Sequence, residues 1–158
     1  MSKLEVPKLP PEVSYEQLLV LLRLYIATFM QALTDKFGSE EALKFIRPYL
    51  LERGKEMATL APMLGITGKD AMAIGTFIRV FEEEVLKIEG KVTEASPDKV
   101  VAVNTKCILQ DCKPEACLQF QSVVDGIIEG INPEYRWRLT KLIPKGDKVC
   151  EWVLEKKT

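Results

Sequence analysis

Residues 107–152 read CILQDCKPEACLQFQSVVDGIIEGINPEYRWRLTKLIPKGDKVCEW and contain all four cysteines and both tryptophans of the chain. Apolar residues first recur with a helical period from Pro114 to about Gly130, and proline fits the first turn of a helix. The period then changes to two around Trp137 and again around Cys150, with a Pro-Lys-Gly-Asp turn between them. This stretch therefore predicts a helix followed by a β-hairpin.

A second hairpin is predicted before this helix. Residues 88–92 alternate between apolar and polar types, and the Ser-Pro-Asp run at 96–98 favours a turn. The next strand would present one face formed by Val101, Val103, Thr105 and Cys107. Because valine dominates that face, we expect it to be the inward one, with Cys107 pointing into the core.

The N-terminal half predicts helices. Residues 1–13 carry three prolines and predict an extended arm, and capped stretches with a helical apolar period follow from Ser14. The predicted fold is α+β, with an N-terminal helical layer of three or four helices packed on an antiparallel sheet of about four strands in β-β-α-β-β order. Residues 1–158 would form a single domain.

Two of these helices have features that bear on function. The first helix, from Ser14 to about Gly38, is apolar over more than one face. Either it is a core helix with a wide buried side, or its surplus face meets a second copy of the chain in a homodimer. In the third helix, the acidic run Glu82–Glu84 is most simply a solvated face.

Composition excludes several functional classes. Twenty-two basic residues against 23 acidic ones give a net charge of −1, so no electrostatic excess would bind nucleic acid. No run of about 18 uncharged apolar residues is present, and the N-terminus lacks a signal-peptide pattern. We therefore expect no membrane span and a cytoplasmic location, where cysteines are usually reduced.

The chain contains no histidine, which excludes Ser-His and Cys-His catalysis. Four interpretations of the cysteines remain. They are buried apolar side chains, a redox or nucleophilic site, a ligand pocket, or a zinc site built from Cys107, Cys112, Cys117 and Cys150. We expect no cofactor, because the spacing of these cysteines is not typical of zinc sites.

Cys117 is the best nucleophile candidate, since it lies near a helix N-terminus that lowers a thiol pKa. Asp125, eight residues later, is the candidate base, with Glu129 as its alternative. A ligand pocket would instead be lined by the inward thiols and the aromatic rings of this region. Its predicted residues are Cys107, Phe120, Tyr135, Trp137, Cys150 and Trp152.

The run INPEYRWRLTKLIPKGDKVCEW and the preceding cysteine-opened helix resemble the L-2-amino-thiazoline-4-carboxylic acid hydrolase-like family, over roughly residues 85–156. More distantly they are similar to the 4-vinyl-reductase domain, which shares its architecture with transport-protein-particle subunits and heme nitric-oxide sensors. The resemblance implies helices over an antiparallel sheet, frequent dimerisation, and a pocket between the two layers. It also implies either small-ligand binding or hydrolysis of a cyclic amidine. Leu142 stands where the vinyl-reductase pattern often has a cysteine.

Three functional hypotheses follow. The first is a domain that binds a small apolar or heterocyclic acid. The second is a hydrolase that cleaves C–N bonds in a thiazoline-like cyclic amidine, with Cys117 as nucleophile. The third is a dimeric structural or assembly module that uses the apolar face of the first helix.

Overall fold

A computed structural model describes residue 8 and residues 10–157. Its helices are α1 (Pro11–Phe37), α2 (Ser39–Ala58), α3 (Ala71–Val80) and α4 (Pro114–Ile131), and its strands are β1 (Glu89–Ala95), β2 (Lys99–Lys106), β3 (Tyr135–Lys141) and β4 (Cys150–Lys156). Short 3₁₀ turns lie at Pro62–Leu64 and Ile143–Lys145, and a π-helical turn, Phe81–Val85, extends α3.

The four strands form one antiparallel sheet in the order β1-β2-β4-β3. Each predicted hairpin is present, and the pairing of β2 with β4 joins the two hairpins into one sheet. The main core lies between this sheet and helices α3 and α4, and it contains Ile78, Val100, Ile128, Trp152 and Leu154. The predicted α+β fold and its β-β-α-β-β order are therefore confirmed.

Helices α2 and α4 cross with their backbones in contact. A Cβ atom placed on Gly54 would lie 2.1 Å from the carbonyl oxygen of Val123, and one on Gly126 would lie 2.1 Å from that of Leu51. No side chain beyond hydrogen fits at either position. The two glycines therefore set the distance between the helical layers, and with it the space left beneath them.

The predicted inward face of β2 is wrong. The buried residues of this strand are Val100, Ala102 and Asn104, whereas Val101 and Val103 are only half-buried. Both faces of the strand are apolar in sequence, so alternation alone does not distinguish them. β2 ends at Lys106, so Cys107 lies in the following loop. The alternation of side chains along the strand therefore does not determine where Cys107 points.

Helix α1 does not behave as a core helix. Of its 27 residues, all of which the structure describes, Met30 alone is buried, so the prediction of a wide buried side is wrong. Its exposed apolar side chains include Leu18, Val20, Leu21, Leu22, Leu24, Tyr25 and Phe29. By length and composition alone this helix could cross a membrane. The sequence contains no uninterrupted apolar run here because Arg23 lies within it.

The predicted N-terminal arm is only partly testable. Residues 1–7 and 9 lie outside the described residues. Residues 11–13 already belong to α1, which begins at Pro11 rather than at Ser14. Proline favours this start, because its fixed φ suits the first helical turn.

Candidate functional site

A cavity of about 410 Å³ lies between the helices and the sheet, within the usual size range of small-molecule sites. Helices α2 and α4 and the π-helical turn form one side, and strands β2, β3 and β4 with the loop after β2 form the other. Its apolar wall includes Met57, Ile78, Phe81, Val85, Leu86, Ile88, Ile108, Leu109, Phe120, Val123, Val124, Ile127, Leu139 and Leu142.

Three of the four cysteines lie in this wall. Cys107 reaches it from the loop after β2, Cys117 from the first turns of α4, and Cys150 from the first residue of β4. All three pack in one apolar cluster with Leu109. Cys112 packs against the same cluster but is not one of the cavity-lining residues.

These thiols are poor nucleophiles as they stand. Burial raises the pKa of Cys107 to about 11 and that of Cys117 to about 12, and neighbouring thiols add to both shifts. Burial also raises the pKa of Cys150. A thiol reacts through its thiolate, so at neutral pH these side chains act mainly as neutral, polarisable parts of an apolar wall.

Two tryptophans close the sheet side of the cavity. The rings of Trp137 and Trp152 lie 6.3 Å apart between centroids, in a tilted arrangement. The indole N–H of Trp152 donates to a carboxylate oxygen of Glu82 at 2.9 Å. The Trp137 N–H is buried and has no hydrogen-bond partner within the described part of the chain.

Of the six residues predicted to bind ligand, five lie in the cavity wall: Cys107, Phe120, Trp137, Cys150 and Trp152. The sixth, Tyr135, packs in the main core between the sheet and helices α3 and α4 and does not line the cavity. Its hydroxyl donates to the carbonyl oxygen of Pro97 at 3.0 Å. A role in ligand binding stays a prediction for the five.

The two candidate bases on α4 are paired with cations of α2. Asp125 accepts from Arg47 at 2.8 Å, and Glu129 lies 3.2 Å from the ammonium of Lys55. Neither carboxylate lines the cavity that Cys117 faces. The fold therefore does not bring the predicted nucleophile and its predicted base into a shared space.

The cysteines do not gather into a metal site. Among the residues with described positions, no three cysteine, aspartate or glutamate side chains lie together as metal ligands do. The arrangement of the thiols thus does not fit the zinc alternative. The expectation that the domain uses no cofactor stays a prediction.

A buried polar network forms one end of the cavity. Glu82, from the π-helical turn, accepts from Asn104 and from Trp152 at 2.9 Å each, and from Arg79 at 2.6 Å. Arg79 also donates to Asn104 at 2.7 Å and pairs with Glu83. The side chains of Arg79 and Glu82 are only 7% and 12% exposed, so the network lies in the protein interior.

The prediction that Glu82 belongs to a solvated face is therefore wrong, although Glu83 and Glu84 are largely exposed. The spacing of Ile74, Ile78 and Glu82 would have located it, because residues four apart share a helix face. Both isoleucines are buried, so Glu82 continues their stripe inward. The π-helical turn at this point is a feature often found at functional sites.

The titration of Glu82 yields a prediction. Burial raises the pKa of its carboxyl group, while the hydrogen bonds and the charge of Arg79 oppose that rise. The folded state therefore binds this proton more tightly than the unfolded chain does, and the contribution to stability is lost as the pH rises above the ordinary value of 4.5. Denaturant unfolding of the wild type and of Glu82→Gln, between about pH 4 and pH 7, is expected to show this loss only in the wild type. Parallel profiles would contradict the assignment.

No protein-family model matches this sequence, and no curated protein sequence does. Several solved structures share the fold, including the following two. One is a trafficking protein particle complex subunit 3 from Naegleria fowleri, covalently bound to palmitic acid, with a TM-score of 0.64 and 14% identity over 93% of this chain and 97% of that one. The other is the phenol-responsive sensory domain of the transcription activator PoxR with phenol, with a TM-score of 0.62 and 13% identity over 85% of this chain and 74% of that one.

These identities are low, so the comparisons establish the fold and nothing finer. The predicted likeness to transport-particle architecture is confirmed. Membership of the thiazoline-carboxylate hydrolase-like family is not shown by either structure. The first of these structures holds palmitic acid and the second holds phenol.

Proposed function

We propose that this chain is a small-molecule-binding domain and that the cavity holds its ligand. The observation that carries the proposal is an apolar space of about 410 Å³ inside the fold. This space is partly open to solvent, so its apolar wall faces water when no ligand is bound, and exposed apolar surface is unfavourable. A bound apolar molecule would remove that surface from water.

The two structural relatives support the same function. One binds palmitic acid and the other responds to phenol, and both ligands consist mostly of apolar atoms. By analogy of fold alone, we infer an apolar or heterocyclic small molecule for this chain. The residues we propose to contact it are Cys107, Phe120, Trp137, Cys150 and Trp152.

Native mass spectrometry of the full chain, purified without added metal, tests this proposal. We expect a fraction of the protein to retain one small organic molecule per chain, or to bind one added apolar alcohol per chain. The same spectrum reports bound zinc. Protein that stays free of any small molecule, even with apolar candidates added at saturation, would contradict the proposal.

Hydrolysis of a cyclic amidine has less support. Cys117 would have to lose a proton with a pKa of about 12, and Asp125 is paired with Arg47 away from the cavity. A hydrolase of this type would lose its turnover in Cys117→Ser, whereas a binding domain would retain its ligand.

A second proposal concerns the exposed face of α1, for which we propose a second copy of the chain as the partner. The apolar side chains on α1 continue onto α2 through Phe37, Phe45 and Tyr49, whose rings lie 5.8 and 5.9 Å apart in sequence order. An exposed apolar surface of this extent is typical of protein interfaces. The relative that is a subunit of a trafficking complex also works as part of an assembly.

We expect the full chain to be a dimer by light scattering at micromolar concentration. Because a buried unpaired charge is costly, replacing Leu21 and Tyr25 together by glutamate is expected to give monomers with an unchanged circular dichroism spectrum. Val92→Glu, on the exposed face of β1, is the control and should remain dimeric. A monomeric wild type, or a wild type that sediments with lipid vesicles, would contradict the dimer.

A further inference from the structure

At the polar end of the cavity, the two carboxylate oxygens of Glu82 accept unequal numbers of hydrogen bonds. Oxygen Oε1 of Glu82 already accepts two hydrogen bonds, from Asn104 and Trp152, whereas Oε2 accepts one, from Arg79. A carboxylate oxygen has two lone pairs, so Oε2 retains the capacity to accept one more hydrogen bond. Glu82 also lines the cavity, and it therefore offers an acceptor to whatever fills that space.

The cation of this network is fully engaged with the protein. Arg79 uses Nε and Nη2 for Glu83, and Nη1 for both Glu82 and Asn104. Four of the five N–H groups of the guanidinium are thus committed. With two carboxylates around one guanidinium, the polar end carries net negative charge. Within residues 10–157, no free cation lies there to neutralise an acidic ligand.

The basic residue that does line the cavity, Arg53, does not change this balance. Arg53 pairs with Glu56 at 2.7 Å, and its side chain is 67% exposed. It therefore lies at the water-facing side of the cavity, where an ion pair with a ligand would be screened by solvent. An anion drawn deeper into the cavity would leave Arg53 and approach Glu82.

Accepting the proposed function, we propose that this cavity selects neutral apolar molecules that carry one hydrogen-bond donor, such as a long-chain alcohol, and rejects the corresponding carboxylates. The ligand hydroxyl donates its hydrogen to Oε2 of Glu82, and the alkyl chain lies among the apolar and cysteine side chains of the wall. This revises the sequence-based expectation of an acidic ligand. Selection arises from the free acceptor capacity of Glu82, which only a ligand with a donor satisfies, and from a like charge that opposes an anion. The N–H of Trp137 in the wall, which has no partner among the described residues, can donate to the oxygen of any of these ligands and therefore does not distinguish them.

Three ligands with eight carbon atoms each separate the contribution of the hydrogen bond to binding from that of the ligand's charge. The compounds 1-octanol and 1-methoxyheptane are isomers of equal volume, and only the alcohol donates a hydrogen bond. Octanoate carries the excluded charge. Displacement of an apolar fluorescent probe from the full-length protein, at neutral pH, measures all three affinities. We expect 1-octanol to bind at least about tenfold more tightly than 1-methoxyheptane, since hydrogen bonds to charged groups are the stronger kind, and we expect octanoate to bind most weakly.

The variant Glu82→Gln removes the charge and nearly preserves the shape. We expect the preference for 1-octanol over 1-methoxyheptane to fall by about fivefold or more, and octanoate to gain affinity relative to 1-octanol. Glu83→Gln is the matched control, because Glu83 also pairs with Arg79 but is half exposed. Its preference for 1-octanol over 1-methoxyheptane should stay within about twofold of the wild type.

The outcomes distinguish this inference from the proposed function. If 1-octanol and 1-methoxyheptane bind the wild type equally, or if Glu82→Gln keeps the wild-type preferences, the selection by Glu82 is wrong while small-molecule binding stands. If no ligand displaces the probe, both proposals fail. Should Glu82→Gln not fold, the comparison of the two isomers on the wild type still decides the inference.

Discussion

Replacing Gly126 by alanine is expected to destabilise the protein by more than about 3 kcal/mol, or to prevent folding. The new methyl group would lie 2.1 Å from the carbonyl oxygen of Leu51 and 2.9 Å from the Cα of Gly54. Both atoms belong to the backbone of α2, so no side-chain rotation relieves the clash. The helices would have to separate, and the packing that defines the roof of the cavity would be lost.

Gly75→Ala is the matched control. Gly75 also lies inside a helix, but the three atoms nearest to its added Cβ would all belong to the side chain of Val100, at 3.2 to 3.3 Å. Alanine gains about 1 kcal/mol of helix propensity over glycine, which offsets a small displacement of that valine. Urea denaturation should therefore place Gly75→Ala within about 1 kcal/mol of the wild type. Equal losses in the two variants would contradict the backbone contact.

Cys117→Phe is expected to weaken ligand binding strongly while the fold persists. Cys117 is 8% exposed and faces the cavity from α4, so a phenyl ring there would occupy space that the ligand needs. A pre-existing void can accept the larger side chain with little of the strain that overpacking causes in a filled core. We expect the affinity for apolar probes to fall by at least about tenfold, which corresponds to about 1.4 kcal/mol.

The control for this variant is Cys112→Phe. Cys112 packs at the edge of the same cluster but does not line the cavity. Probe titration should leave its affinity near that of the wild type. Retained binding in Cys117→Phe, in protein with a wild-type circular dichroism spectrum, would locate the ligand elsewhere.

The order of helices and strands was predictable because each element carries a local signal. Alternation around Trp137 and Trp152, and the helical stripe after Pro114, identify their elements from the sequence alone. β2 is different, since Val100 and Ala102 are no more apolar than Val101 and Val103. Tertiary contacts that bury Asn104 against Arg79 and Glu82 decide which face of β2 points inward. These contacts produce no alternating pattern in the sequence.

The candidate site was predictable only in part. Its thiols and rings were located because Cys117, Cys150 and Trp152 follow the period of regular elements. Cys107 reaches the cavity from the loop after β2. It was predicted to point inward because it was assigned to the inward face of that strand, so the correct location rested on a wrong assignment. The cavity depends on how closely Gly54 and Gly126 let the helices approach. Such a distance is a property of the packed structure, and no single segment encodes it.

The exposed face of α1 illustrates a different limit. The sequence shows a helix with more apolar surface than one buried face requires, but it does not identify what covers that surface. Even the folded chain leaves Leu18, Leu24 and Tyr25 more than half exposed. The sequence of α1 therefore does not specify its partner, for which we propose a second copy of the chain.

A crystal structure of the full chain grown with saturating 1-octanol tests the central claim most directly. The account predicts continuous density for one alcohol molecule inside the cavity, bounded by Cys107, Cys117 and Cys150, with its hydroxyl within hydrogen-bond distance of Glu82. An empty cavity at saturating alcohol, or alcohol bound only along α1, would contradict it.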